Sequence, residues 1–199
     1  PVAALWPDGL NVRRMLARAR MNLGDPASAL EIYDAIVARE PESRTDHWDR
    51  MTAATILGDW AKVRASAAVL GLVFDTPEGP IDERWELCFL RDDTMKLREG
   101  RVLALRTGPV TARVLYISAP DEPSVYGDVW AFDARPLNEG PAPGADEPTR
   151  QRHRWEYRPI ARLRRGDFRT AEIEGPRPSS REVGAPREPL ESMGGAAYV

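Results

Sequence analysis

The chain has 199 residues, a formal net charge of −3 and a single cysteine. This length allows one domain or two small ones with a real hydrophobic core, and the slightly acidic balance argues against a general affinity for nucleic acid or an anionic membrane. One cysteine excludes an internal disulfide, and no apolar run approaches the roughly 20 residues that span a membrane.

Four helices are predicted in the first third of the chain, because apolar residues recur there at helical spacing. They are expected over residues 9–23, 26–39, 43–57 and 60–72. Asp25 before Pro26 is typical of a helix start, with a capping side chain followed by proline at the first helical position. Ser43 and Asp46 have the spacing of a capping box, which predicts the start of the third helix.

The same spacing predicts which side of each helix is buried. The first helix is expected to bury the side that carries Val12, Leu16, Ala19 and Leu23. The inward residues of the second helix are expected to be Leu30, Tyr33, Ile36 and Val37, and those of the fourth Val63, Ala67 and Leu70.

The first two helices and their turn also carry a pattern of large and small residues. Its members are Leu16 and Ala17 on the first helix, Gly24 and Asp25 in the turn, Ala29 and Tyr33 on the second helix, and Pro41 after it. Gly58 and Asp59 repeat the turn 34 positions later, and this is the length of a tetratricopeptide repeat. Residues 10–41 therefore resemble one such repeat, and residues 43–72 a divergent or terminal second one. A chance pair of helical hairpins is the alternative.

The resemblance implies a concave groove lined by the first helix of each unit. Carried over position by position, the groove residues are Asn11, Arg14, Arg18 and Asn22 in the first unit and Thr45, Trp48, Thr52 and Ile56 in the second. Arg14 and Arg18 lie four residues apart and repel each other mildly unless an acidic group lies between them. We therefore expect an acidic peptide or chain terminus in the groove, held by forked hydrogen bonds, with Trp48 as an apolar platform. Ordinary solvation of the two arginines is the alternative.

After the breaker cluster at residues 75–79 the pattern changes from helical spacing to alternation. Strands are predicted at residues 85–90, 101–106, 110–117, 125–132, 155–163 and 168–173. Short strands separated by turns are typical of an antiparallel sandwich or small barrel, which we expect over residues 80–174. Residues 138–148 are expected to form a mobile polar loop, and the Pro- and Gly-rich residues 175–199 a flexible tail.

A basic segment covers residues 150–169, with eight arginines against two acidic residues. On strands, alternating arginines share one face, and this basic stripe comprises Arg150, Arg152, Arg154, Arg162 and Arg164. Such a stripe can follow a phosphate backbone. It can equally balance acidic stretches elsewhere in the chain or protect a sheet edge from pairing.

Candidate catalytic chemistry is sparse. His47 and His153 are the only histidines, and Asp46, His47 and Asp49 are neighbours on one helix whose side chains do not converge on one metal ion. We interpret these three as a solvated first turn with acids at the positive helix end. Cys88 lies in an apolar run and is expected to be a buried, inert thiol. Motifs for phosphate loops, serine nucleophiles and Cys-x-x-Cys sites are missing from the sequence, so we expect no catalytic residues, no metal and no cofactor.

These patterns together predict an α+β chain, with tetratricopeptide-like helical hairpins over residues 1–74 followed by the β module. The expected function is that of a non-catalytic protein-interaction scaffold that binds a protein or acidic peptide; nucleic-acid binding through residues 150–169 is the alternative. Arginine outnumbers lysine by 26 to 2, which is typical of GC-rich bacterial coding sequence. Because the sequence does not begin with methionine, we expect it to be part of a larger bacterial protein. The location that we expect for this protein is the cytoplasm. The oligomeric state does not follow from the sequence.

Overall fold

The computed structural model describes residues 9–91, 100–116 and 126–168. Four helices come first: α1 (Leu10–Asn22), α2 (Pro26–Arg39), α3 (Arg44–Leu57) and α4 (Trp60–Leu70). They are followed by strands β1 (Leu87–Arg91), β2 (Arg101–Arg106), β3 (Thr111–Val114) and β4 (Val129–Phe132). A short helix α5 (Glu147–Arg152) precedes the last two strands, β5 (Glu156–Tyr157) and β6 (Pro159–Arg164). The α+β class is thus confirmed. The tail predicted at residues 175–199 lies outside the described residues, as does the strand predicted at residues 168–173 apart from Phe168.

The helix starts follow from local capping chemistry. The Asp25 side chain accepts a hydrogen bond from the Ser28 backbone N–H at 3.1 Å, which confirms the predicted start of α2. Hydrogen bonds from the Ser28 side chain and from its backbone N–H hold the pKa of Asp25 below its ordinary value. The predicted capping box at α3 is wrong, because the Ser43 hydroxyl donates to the Asp46 carboxylate at 2.5 Å instead of capping a backbone N–H.

The turn of the first hairpin recurs in the second. Gly24 and Gly58 have φ angles of 74° and 72°, a left-handed conformation that favours glycine at the end of a helix. Asp59 then accepts a hydrogen bond from the Lys62 backbone N–H at 3.1 Å, as Asp25 does from Ser28. The two helical hairpins are therefore closed by the same chemistry at a separation of 34 residues.

The predicted buried faces of α2 and α4 are largely confirmed. Buried side chains include Leu30, Tyr33 and Ile36 on α2 and Val63, Ala67 and Leu70 on α4; Val37 is only partly buried. The prediction for α1 is wrong, because Leu16, Ala19 and Leu23 are exposed and Ala17 is the buried residue of that helix. Only a narrow side of α1 is buried, although this helix packs on α2 and also contacts Asp46 and Asp49 of α3 through Arg14 and Arg18.

The strands form one mixed six-stranded sheet in the order β5-β1-β2-β3-β4-β6. Successive strands from β1 to β4 pair antiparallel, and β4 pairs antiparallel with β6. The prediction of a purely antiparallel module is wrong, because β5 pairs parallel with β1, with Phe89 opposite Glu156 and Leu90 opposite Tyr157.

The sheet curls into a half-barrel because one chain segment forms both of its edges. β5 lies beside β1 at one edge and β6 lies beside β4 at the other, yet only Arg158 separates β5 from β6. The Asp133 backbone N–H donates to the Arg158 carbonyl at 2.9 Å. The segment that follows β4 therefore lies beside Arg158, the residue that connects the two edge strands. Arg158 and residues 133–135 are therefore neighbours at the place where β5 and β6, the two edge strands, are connected.

Two clusters of buried apolar side chains form the hydrophobic core of the chain. One gathers the inward residues of the four helices and includes Ile81 and Val110 from the β region. The other lies on one face of the sheet, where alternation buries Cys88, Leu90, Val102 and Ala104. Burial raises the pKa of the Cys88 thiol to about 12, in keeping with an inert cysteine.

Within the residues that the structure describes, none of the helices combines the length and the apolar character needed to cross a bilayer.

Gly166, just after β6, is predicted to tolerate no side chain. A Cβ atom there would lie 2.1 Å from the Tyr126 carbonyl oxygen, and the Gly166 N–H donates to the buried Asp128 carboxylate at 2.7 Å. We expect Gly166→Ala to lower the free energy of unfolding by about 2 kcal/mol, since backbone atoms must move to make room. Urea unfolding measures this, with the exposed neighbour Asp167→Ala as the control. Equal stability of the two variants would contradict the close packing.

Candidate binding cleft between the helices and the sheet

A cleft of about 90 Å³ lies where the helical hairpins meet the curled sheet. Its helical wall is formed by Arg18, Met21, Asn22, Tyr33, Asp49 and Thr52, and its sheet wall by Asp133, Arg135, Arg158 and Ile160. Clefts at the junction of two structural units are common binding sites. Three arginines and two aspartates line it, which leaves one excess positive charge.

The segment Asp133–Ala134–Arg135, which follows β4, lies against the helices. Arg135 Nη2 lies 3.0 Å from an Asp49 carboxylate oxygen, and the Ala134 side chain packs against the helical cluster. Arg135 is oriented within its own segment by a fork to Asp133, with Nε and Nη2 at 2.9 and 3.1 Å. The chain therefore places an arginine of the β region directly on a carboxylate of α3.

Asp49 is the acidic centre of the cleft. It is 8% exposed, and besides Arg135 it faces Arg18, whose Nη2 lies 3.4 Å away. Burial raises the pKa of Asp49 above its ordinary value, and the charge of Asp133 acts in the same direction, whereas Arg135 and Arg18 lower it. Burial and the charge of Asp49 likewise raise the pKa of the Tyr33 hydroxyl. Perturbed ionisable groups in a cleft are typical of functional sites.

Arg14, the other predicted groove arginine, has internal partners. Its Nε and Nη2 atoms donate to both oxygens of the fully buried Asp46 at 2.6 to 3.1 Å, and Nη2 also contacts Glu40. Its Nη1 donates to the side-chain oxygen of Asn11 at 3.0 Å. Arg14 and Asn11 thus belong to an ionic network between the helices, separate from the cleft that contains Arg18.

Four of the five remaining predicted groove residues fall into two groups, whereas Ile56 lines neither recess. Asn22 and Thr52 line the cleft beside Arg18. Thr45 and Trp48 line a smaller recess of about 80 Å³ together with Ala134 and Arg135. The surface that we expected Trp48 to offer to a ligand is therefore partly covered by the chain itself.

The predicted solvated turn at Asp46, His47 and Asp49 is wrong. All three residues are buried, at 0%, 5% and 8% exposure. They face different partners: Asp46 faces Arg14, Asp49 faces Arg135, and the two ring nitrogens of His47 face the Pro41 carbonyl at 2.8 Å and the Ser66 hydroxyl at 3.3 Å. The side chains support the packing of α3 against its neighbours on several sides.

The basic stripe predicted over residues 150–169 does not form as one face. Arg150 and Arg152 lie in α5, where residues two apart point to different sides, so their predicted strand alternation is wrong. Asp146 causes the difference, because it accepts a hydrogen bond from the Thr149 N–H at 2.8 Å and starts a helix. Arg154 follows α5 and donates to nearby carbonyls, while Arg162 and Arg164 lie on β6.

Arg162 also has an internal partner, since Nη1 lies 3.3 Å from the buried Asp128 and the guanidinium lies over the Trp130 ring. Arg150 lies 3.4 Å from Glu147 in its own helix. The members of the stripe are thus distributed over a helix, a connection and a strand.

Three charged cleft residues were missed from the sequence: Asp133, Arg135 and Arg158. They lie more than 80 residues after Asp49, and no motif links them to α3. The tetratricopeptide resemblance stays a prediction from residue spacing, because no protein-family model matches the chain, and neither a curated protein nor a solved structure matches it.

Proposed function

We propose that this chain is a non-catalytic protein-interaction scaffold whose cleft binds an acidic segment of a partner protein. The observation that carries this proposal is the convergence of three half-exposed guanidinium groups on one cleft. The side chains of Arg18, Arg135 and Arg158 are 44%, 47% and 51% exposed. The two carboxylates that line the same cleft, Asp49 and Asp133, are more buried, at 8% and 14% exposure.

Arginine is suited to this role because its planar group has five donors, and an internal ion pair leaves some of them directed elsewhere. Among the described residues, Arg158 has a single, long ionic contact, 3.5 Å from Nη2 to Asp133. Arg18 has contacts of 3.4 Å to Asp49. These long contacts leave both guanidinium groups able to donate to a carboxylate that enters from solvent.

Binding of a short acidic peptide tests the proposal. We expect a rhodamine-labelled peptide ending in Glu-Glu-Asp to raise its fluorescence anisotropy on binding, and its Gln-Gln-Asn counterpart to bind more weakly. Arg158→Ala is expected to weaken binding roughly tenfold, the loss of one charge-assisted hydrogen bond. Arg158 is the best position because its replacement disturbs the fewest internal contacts.

Arg20→Ala provides the matched control, because Arg20 is a half-exposed arginine of α1 outside the cleft. An equal effect of the two substitutions would reject the cleft as the binding site. Binding of a single-stranded oligonucleotide in preference to the peptide, reduced by Arg150→Ala/Arg152→Ala, would favour the nucleic-acid alternative instead.

A further inference from the structure

The acidic centre of the cleft lies among the same arginines that the proposed ligand needs. Arg18 of α1 and Arg135 of the segment after β4 both face Asp49, at 3.4 and 3.0 Å. An incoming carboxylate therefore meets guanidinium groups that already interact with a carboxylate of the chain.

We propose that Asp49 is an internal competitor for the cleft: its ionised carboxylate engages some of the donors of Arg18 and Arg135, and its neutralisation releases those donors to an external acidic group. This inference rests on the function proposed above and adds a regulatory element to the same site.

The contacts of Asp49 favour a role as competitor for the two arginines over a purely structural role. Asp49 belongs to α3, whereas its two partners come from α1 and from the segment after β4, so the carboxylate links three parts of the chain. Arg135 would keep its orientation without Asp49, because Asp133 holds its Nε and Nη2 atoms and accepts from its backbone N–H at 3.0 Å. Loss of the Asp49 charge would thus raise the excess positive charge of the cleft from one to two while the arginines stay in place.

The charged and titratable groups around Asp49 indicate that protonation of its carboxylate is the event that neutralises it. They are Arg18 from α1, Tyr33 from α2, Asp133 and Arg135 after β4, and Arg158 between β5 and β6. Burial raises the pKa of Asp49 above its ordinary value. A carboxylate exposed in a peptide keeps its charge at a lower pH than Asp49 does, so a fall in pH neutralises the competitor before the ligand.

The test compares Asp49→Asn with the wild-type chain, using the rhodamine-labelled Glu-Glu-Asp peptide at low ionic strength, where charge effects are least screened. We expect Asp49→Asn to tighten binding roughly fivefold, the effect of removing one nearby like charge from the ligand. Asp34→Asn is the matched control, since Asp34 pairs with Arg50 and Lys62 at 2.7 and 2.8 Å outside the cleft. It is expected to leave the affinity unchanged.

A pH titration of the wild-type chain gives a second measurement that needs no substitution. As the pH is lowered from neutrality toward the ordinary pKa of an exposed carboxylate, about 4, we expect the affinity of the wild-type chain for the peptide to rise and that of Asp49→Asn to stay level. Circular dichroism at each pH verifies that the chain remains folded.

The possible failures are distinguishable. Wild-type binding that is unaffected by Asp49→Asn and by pH would overturn the competitor role and leave the proposed function standing. Absence of binding by both the wild-type chain and Asp49→Asn at every pH would overturn the proposed function, and the competitor role with it.

Discussion

Replacing Asp46 with alanine is expected to lower the free energy of unfolding by about 3 kcal/mol, because one partner of a buried ion pair is removed. The Asp46 side chain is fully buried and accepts three hydrogen bonds from Arg14 and one from Ser43. Its loss leaves a largely buried Arg14 guanidinium, 23% exposed, with Glu40 as its acidic partner. Urea unfolding followed by circular dichroism measures the change.

Glu42→Ala is the control for this substitution, because Glu42 is an exposed acid four residues before Asp46. We expect it to change the free energy of unfolding by less than about 0.5 kcal/mol. Similar losses in both variants would show that the ion pair between α1 and α3 contributes little.

Acid titration examines the same pair through protonation. Burial alone would raise the pKa of Asp46, but the hydrogen bonds from Arg14 and Ser43 outweigh it and hold the pKa below the ordinary value. The contribution of Asp46 is therefore complete above the pKa of the unfolded chain, about 3.9, and is lost as the pH falls from there through the lower pKa of the folded chain. We expect Asp46→Asn to lose less stability than the wild-type chain over this acid range.

Replacing Arg106 with alanine is expected to cost about 3 kcal/mol of folding free energy, the second large effect. The Arg106 side chain, 11% exposed, donates to Glu86 at 2.7 Å, to the Pro109 carbonyl at 2.8 Å and to the Tyr157 hydroxyl at 3.3 Å. Its guanidinium also lies 5.1 to 5.5 Å from the ring centres of Trp85, Phe132 and Tyr157. Removal leaves the Pro109 carbonyl and the Tyr157 hydroxyl without this donor and a gap between aromatic rings, while the half-exposed Glu86 carboxylate can turn to water.

The variant Arg106→Lys distinguishes the contribution of the positive charge to stability from that of the planar guanidinium group. A lysine keeps the charge but lacks the planar fork, so we expect it to recover less than half of the lost stability. Guanidinium chloride unfolding, monitored by tryptophan fluorescence, measures both variants, with the exposed Arg164→Ala on β6 as the control. Full rescue by lysine would show that the charge alone accounts for the role of Arg106.

The sequence determined the helices of this protein closely, because local chemistry decides where a helix begins and ends. The bounds of α2 were predicted to the residue from Asp25, Pro26 and the apolar spacing, and Gly58 with Asp59 marked the matching turn between α3 and α4. These signals act within one or two helical turns, so they can be recognised in the sequence without knowledge of the tertiary structure.

The sheet was predicted in part. Alternation located β2 to the residue, since side chains of a strand point to opposite faces whatever the strand pairs with. Pairing itself joins distant segments, and so the parallel contact between β1 and β5 did not follow from local pattern.

The candidate cleft was decided by tertiary structure. Of its charged residues, the sequence singled out Arg18 as a ligand residue, whereas Asp49 was interpreted as solvated and Arg135 and Arg158 were overlooked. Only the curl of the sheet, closed at Arg158, places Asp133 and Arg135 against α3. Burial and charge at Asp49 arise from residues of three different elements, and a linear sequence carries no local signal for an environment assembled in that way.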